Sequence, residues 1–132
     1  MPSTLTGHCS CGTVQYAVDD AFEYALNCHC SRCRRATGSA FKAFAGIKRS
    51  RLSLLRGADQ LLIVGNEFTH DARCSRCGSL LYSLVRLGQY VHVTIGTLDT
   101  SPSLTPTAHI YVGSKAPWFT IGDGLPQHEE LP

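Results

Sequence analysis

The chain has 132 residues, 43% of them hydrophobic and 17% charged, with a formal net charge of +2. That is enough apolar material for one packed domain over residues 1–132. No apolar run approaches the ~18–20 residues of a membrane-spanning helix, so no membrane partner is expected. The near-neutral charge, with no basic tail or Lys/Arg block, argues against nucleic acid as a partner.

Met1 to Thr6 contain neither a basic region nor an apolar block, so no secretory leader is read there. The expected location is cytoplasmic, where thiols stay reduced. Residues 4–8 and 12–18 have the pattern of a hairpin, with Val14, Tyr16 and Val18 alternating with Thr13, Gln15 and Ala17. Residues 22–27 read as a third strand that delivers the chain to Cys28. Residues 31–36 suit about one helical turn, with Ser31 as the N-cap and Thr37-Gly38-Ser39 as the stop. Residues 40–47 carry Phe41 and Phe44 and end in the basic turn Lys48-Arg49-Ser50-Arg51; strands are expected around 52–55 and 60–64, and a polar strand over 67–73. Residues 80–85 and 90–95 form a second hairpin pattern around Leu87-Gly88, and 109–112 a last strand. The tail from Ser114 reads as irregular, with Trp118 and Phe119 expected to pin its first half. Short strands, frequent turns and one short helix make the chain mainly β.

Seven cysteines fall in three groups: Cys9/Cys11, Cys28/Cys30/Cys33 and Cys74/Cys77. The first and last groups are each followed by a glycine, Gly12 and Gly78. A glycine there lets the backbone turn with positive φ, so that amide hydrogens point at sulfur, as in a metal knuckle. Together Cys9, Cys11, Cys74 and Cys77 make a four-cysteine set, the closed structural type of zinc site. Joining segments so far apart in sequence should contribute on the order of 10 kcal/mol to folding. The central group lacks the glycine and is one ligand short. Three protein ligands and one open position is the pattern of a catalytic zinc, so Cys28, Cys30 and Cys33 are the candidate reactive centre. A histidine could still serve as fourth ligand, although His29, wedged between two cysteines, should point away.

The cysteines admit other readings. Disulfides are disfavoured by the odd count, the tight Cys-x-Cys spacing and the reducing location. A thioredoxin-like pair at Cys74/Cys77 needs a strand–helix context that the flanks do not offer. Iron–sulfur ligation by the central triplet stays open. Arg32, Arg34, Arg35, Arg73 and Arg76 cluster around the thiols, either as solvated charges or as partners for substrate carboxylates. Arg34 and Arg35, or Lys42 and Lys48, are candidates for that role. Tyr82, His92, His109 and Tyr111 read as strand residues and Asp99 as a turn residue.

Gly7-His8-Cys9-Ser10-Cys11-Gly12, Cys28-His29-Cys30-Ser31-Arg32-Cys33-Arg34-Arg35-Ala36-Thr37-Gly38-Ser39, Cys74-Ser75-Arg76-Cys77-Gly78-Ser79 and Gly96-Thr97-Leu98-Asp99 follow one another along the chain. So does the ending from His109 through Ala116-Pro117-Trp118 to Asp123-Gly124-Leu125-Pro126. In this order they resemble the glutathione-dependent formaldehyde-activating enzyme family, which also includes the centromere protein V type. Arg73 stands where members often carry an aromatic residue. The resemblance implies a β-tent of curved antiparallel sheets and two zinc ions per chain. One zinc would sit on Cys9, Cys11, Cys74 and Cys77, the other on Cys28, Cys30 and Cys33. It also implies a carbon–sulfur lyase acting on a small thiol adduct such as S-hydroxymethylglutathione, with glutathione as the thiol. A zinc-stabilised binding module without catalysis is the alternative reading.

Overall fold

A computed structural model of the chain describes residues 3–132. Ten strands and one helix follow in the order β1 (Thr4–His8), β2 (Gln15–Asp19), β3 (Tyr24–Cys28), α1 (Ser31–Thr37), β4 (Lys42–Lys48), β5 (Leu52–Arg56), β6 (Leu61–Gly65), β7 (His70–Cys74), β8 (Leu80–Val85), β9 (Tyr90–Thr94) and β10 (His109–Ile110). The mainly β expectation holds. The strands make a three-stranded sheet, β1-β2-β5, and a seven-stranded sheet, β10-β3-β4-β9-β8-β7-β6, neither closed into a barrel. All pairings are antiparallel except β10 with β3.

The period-2 pattern decides which side chains are buried. Tyr16 and Val18 on β2 are almost wholly buried, and so are Leu81, Leu84, Val91 and Val93 on β8 and β9. They meet in one core between the two sheets, where each buried aliphatic side chain contributes about 1.5–3 kcal/mol. Tyr16 also shares a 2.6 Å hydrogen bond with Thr97, tying the small sheet to the turn after β9. Asp99 lies in that turn, as expected. It accepts from Thr6 Oγ1 at 2.7 Å and pairs with His8 at 2.6 Å, so it anchors the turn to β1.

The structure differs from the sequence reading at several points: β2 starts at Gln15 rather than residue 12, β3 at Tyr24 rather than residue 22, and four further differences have local reasons. The N-cap of α1 is Cys30 rather than Ser31: its extended backbone (ψ 155°) lets its sulfur accept the Cys33 amide at 3.3 Å. β7 starts at His70 and not at residue 67, because Asn66 Oδ1 takes the amides of Phe68 and Thr69 and folds them into a turn. The last strand stops at Ile110, since Tyr111 turns into the left-handed region at φ 56°. Trp118 does not pin the tail: it is 71% exposed, with its ring edge-on to Phe119. Phe119 does pack, against Phe41 and His29. The rest of the tail is held by backbone bonds from His109 to Pro126 and His128 and from Tyr111 to Glu130. No helix among the described residues is long and apolar enough to cross a membrane.

Candidate metal centres and the cavities beside them

All seven cysteines are free thiols, and they gather into two groups. Cys9, Cys11, Cys74 and Cys77 form one; Cys28, Cys30 and Cys33 form the other. Within each group the sulfurs lie within 4.8 Å of one another. In the four-thiol group the Cys9–Cys11 and Cys11–Cys74 sulfurs are 3.7 and 3.8 Å apart. A tetrahedral ion with metal–sulfur bonds of about 2.3 Å has ligand–ligand edges of about 3.8 Å. The two measured spacings are therefore those of ligands of one ion, and longer than the roughly 2.05 Å of a formed disulfide bond.

The knuckle geometry comes from the two glycines. Gly12 and Gly78 have φ of 79° and 81°, a region costly for any residue with a Cβ. Their amides close the turns onto the carbonyls of Cys9 and Cys74, at 3.0 and 2.8 Å. The turns then aim amides at sulfur: Val14 N–H at Cys9 (3.2 Å) and Arg76 N–H at Cys74 (3.4 Å). Hydroxyls assist the two exposed sulfurs. Ser79 holds the Cys77 thiol down to about 5, and Thr13 lowers that of Cys11. Both shifts favour the thiolate, the form that binds metal.

The three-thiol group is built from the end of β3 and the first turn of α1. A seven-residue helix is too short to persist alone, so its ends carry it. Cys30 sulfur caps the start. Gly38, left-handed at φ 64°, donates to Arg34 O at 2.7 Å to close the end. Arg34 and Arg35 sit in the last turn, where positive charge complements the helix dipole. Arg73 reaches across from β7: it donates to Gly78 O at 3.0 Å and also to Ala36 O, joining the Cys74–Cys77 turn to the helix end. As thiols, Cys28 and Cys33 share a proton. The hydrogen bond between them lowers Cys28 and raises Cys33. No histidine among the described residues belongs to either group. The His29 side chain points away, fully buried, with Nε2 bonded at 2.7 Å to His109 Nδ1. His109 Nε2 is bonded in turn to Asp123 at 2.8 Å, which fastens the tail over β3 and β10.

Two cavities flank the three thiols. The first, about 400 Å³, is lined by Cys30, Cys33, Arg32, Lys42, Asp71, Ser83 and His92, with Gly65 and Thr69 of the β6–β7 turn. The second, about 480 Å³, is lined by Cys28, Cys33, Lys42 and His92 and otherwise mostly by apolar side chains. Cys33, Lys42 and His92 thus face both. Lys42 pairs with Cys28 across β3 and β4 and is only 6% exposed. Its Nζ donates to Ser83 Oγ at 2.8 Å, and Ser83 donates to Asp71 at 2.6 Å. Burial pulls the Lys42 pKa down, against the pull of Cys33 and Asp71.

His92 stacks on Phe44 at 4.2 Å and bonds to Tyr24 at 2.7 Å. Burial holds it down to about 3, so it is neutral. Tyr24 reaches it because Gly46 lies opposite in register; a Cβ at Gly46 would sit 2.1 Å from the Tyr24 ring.

Of the basic residues singled out in the sequence, Arg32 and Lys42 line a cavity beside the thiols; Arg34 and Arg35 line neither, and Lys48 lies on another surface. Nothing in the sequence singles out Asp71 and Ser83, and His92 reads there as a strand residue. The available signal was a lysine inside the otherwise apolar run Ala40 to Ile47, since a buried cation requires partners on the neighbouring strands.

The profile of the family described as "Glutathione-dependent formaldehyde-activating enzyme" matches residues 4–114. A Sordaria macrospora protein, provisionally named as a glutathione-dependent formaldehyde-activating enzyme, is 28% identical over 90 residues. That match covers 64% of this chain and 38% of the fungal protein, so the chain spans well under half the length of this relative. A Rhodobacter sphaeroides protein of known crystal structure superposes with a TM-score of 0.62 at 26% identity, covering 76% of this chain and 97% of that one.

Proposed function

The chain belongs to the glutathione-dependent formaldehyde-activating enzyme family, and from that premise we propose that it adds a thiol to an aldehyde carbon at Cys28, Cys30 and Cys33. The observation that carries this reading is a cluster of three thiols, one ligand short of a tetrahedron, bordered by two cavities and a buried lysine. Zinc suits both clusters, because thiolate sets at this spacing favour it. The four-thiol cluster then holds the structural ion. At the three-thiol cluster, bound zinc would supply a fourth position that takes a thiol sulfur and keeps it as thiolate.

The chain's own residues do the rest. The first cavity is roomy enough for glutathione and offers Arg32 for a carboxylate, with the β6–β7 turn as a wall. Lys42 Nζ carries hydrogens in either protonation state and faces both cavities, so it can hold the aldehyde oxygen as that oxygen gains charge. Neutral His92 packs beside it without competing for that charge. The product with formaldehyde and glutathione is S-hydroxymethylglutathione, formally a carbon–sulfur lyase reaction run backwards. In this reading residues 1–132 form one zinc-binding domain that works in the reducing cytoplasm. The test is the rate of S-hydroxymethylglutathione formation with wild type and Cys30→Ser. We expect acceleration over the spontaneous reaction by wild type alone; equal rates would sink the reading.

One observation favours the alternative, a binding module without catalysis. β6 is the outer strand of the large sheet, and Leu62, Ile63, Val64 and nearby Phe68 are all exposed. An unpaired apolar edge is a template for another strand. A chain that binds two zinc ions, accelerates no aldehyde chemistry and captures a strand at β6 would fit that alternative.

A further inference from the structure

The cavity on the Cys28 side is larger than formaldehyde requires, and of the wrong character. Formaldehyde is a carbon and an oxygen, and most of about 480 Å³ would be left over. Besides Leu131 and Pro132 of the tail, its walls include Tyr24, Leu26, Phe44 and Ile110, an aromatic and aliphatic lining suited to an apolar group. It adjoins the reaction centre, since Cys28, Cys33, Lys42 and His92 line it too. Arg86 also lines it, with its guanidinium 5.2 Å from the Tyr24 ring and 4.4 Å from the Tyr90 ring.

The backbone adds one indication. Among the described residues three non-glycines have positive φ: Arg86 (53°), Leu87 (56°) and Tyr111 (56°). Arg86 and Leu87 are the central residues of the β8–β9 hairpin turn, closed by Gly88 N–H on Val85 O at 3.1 Å, and the turn accounts for them. Tyr111, which lines this cavity, has no such hairpin to account for it, and a left-handed L-residue is costly. A further device is Gly46, whose missing side chain leaves room for the Tyr24 ring, which bonds to His92.

We propose that this cavity binds the apolar substituent of the aldehyde, so that the substrate class is an aromatic or branched aliphatic aldehyde rather than formaldehyde itself. The inference rests on the thiol-to-aldehyde reading of the three-thiol site. The substituent lies against Phe44, Leu26 and Tyr111, and the carbonyl points inward to Lys42. In the step, the thiol gives up its proton and the carbonyl π bond opens. A carbon–sulfur bond forms and the proton ends on oxygen, giving a hemithioacetal with no change of oxidation state. The first cavity holds the thiol partner, which explains why two cavities share Cys33, Lys42 and His92.

The experiment uses the metal-loaded full chain with glutathione and compares phenylacetaldehyde, acetaldehyde and formaldehyde, each corrected for its spontaneous rate. We expect kcat/KM for phenylacetaldehyde to exceed that for acetaldehyde by at least about tenfold. Leu26→Trp, which fills the cavity and leaves every cysteine in place, should remove that advantage. A readout independent of turnover is binding of 2-phenylethanol, which has the same substituent but cannot react. It should shift the amide resonances of Tyr24, Leu26, Ile110 and Tyr111 in wild type and not in Leu26→Trp. Acceleration of formaldehyde with no preference for phenylacetaldehyde, or 2-phenylethanol binding elsewhere, overturns this inference and leaves the reaction standing. Acceleration of none of the three aldehydes overturns both.

Discussion

The four-thiol cluster takes its sulfurs from two turns, with Cys11 and Cys74 63 positions apart, whereas the three-thiol cluster takes all of its sulfurs from one strand end and one helical turn. The first has glycines that fold each turn onto its sulfurs, two exposed ligands and hydroxyls beside them. The second has a helix capped by one of its own sulfurs, a buried lysine and a cavity on either side. The difference teaches how topology assigns roles. A cluster that closes a long loop is bound up with folding, because its ligands meet only when the sheets have formed. A cluster drawn from neighbouring residues can be emptied or altered while the rest of the fold stands.

The largest expected effect tests that division directly. Cys9→Ser should cost several kcal/mol, on the order of 10 kcal/mol at the limit, because the ion's binding free energy is also folding free energy. Thermal unfolding and metal counting check this; a folded variant that still holds the four-thiol ion would erase the contrast. Next, Lys42→Met should lower the rate of thiol addition by about 10²–10³-fold if the lysine holds the developing oxyanion, with metal content unchanged. Single-turnover rates with matched metal analysis decide it.

A smaller effect concerns pH. Burial holds His92 down to about 3, against 6.5 for a free histidine. Between those values the unfolded chain binds more protons, so the contribution is complete above about pH 6.5 and is lost as pH falls, at about 1.4 kcal/mol per unit. His92→Gln should remove that slope. Urea unfolding of both proteins at neutral and acidic pH measures the difference, and parallel pH profiles would refute it. The smallest effect sharpens the knuckle argument. Gly78→Ala, at φ 81° with open space around its Cβ, should cost about 1–2 kcal/mol from backbone strain alone. Gly96→Ala, equally open but without positive φ, should be close to neutral.

Much of this contrast was legible in the residues. Gly12 and Gly78 after the flanking cysteine pairs, and no glycine after Cys33, separate the two clusters before any coordinates are seen. Alternation along residues 14–18 and 90–95 marks the strands that build the core. What the residues did not disclose depends on who stands opposite whom. In sequence Lys42 is a candidate partner for a substrate carboxylate; only the β4–β9–β8–β7 order brings Ser83 and Asp71 to it. Cys30 as a helix cap replaces the more familiar Ser31, because the same sulfur serves the cluster and the helix. Trp118, expected to pin the tail, is displaced in that role by the buried His109 and its bond to Asp123. Tyr111 looked like one more strand residue, and its left-handed backbone follows no local pattern.

Arg73 connects the two clusters. Its guanidinium spans from Gly78 O, in the turn that presents Cys77, to Ala36 O, at the end of the helix that presents Cys33. Such a strut is expected to couple the loading of the two clusters. An ion that ordered the four-thiol turn would also hold the helix end, and so would raise the affinity of the three-thiol cluster. By thermodynamic linkage the effect is equal in the reverse direction. In Arg73→Ala the two ions would bind independently. The side chain before Cys74 therefore sets how far the state of one cluster is felt by the other.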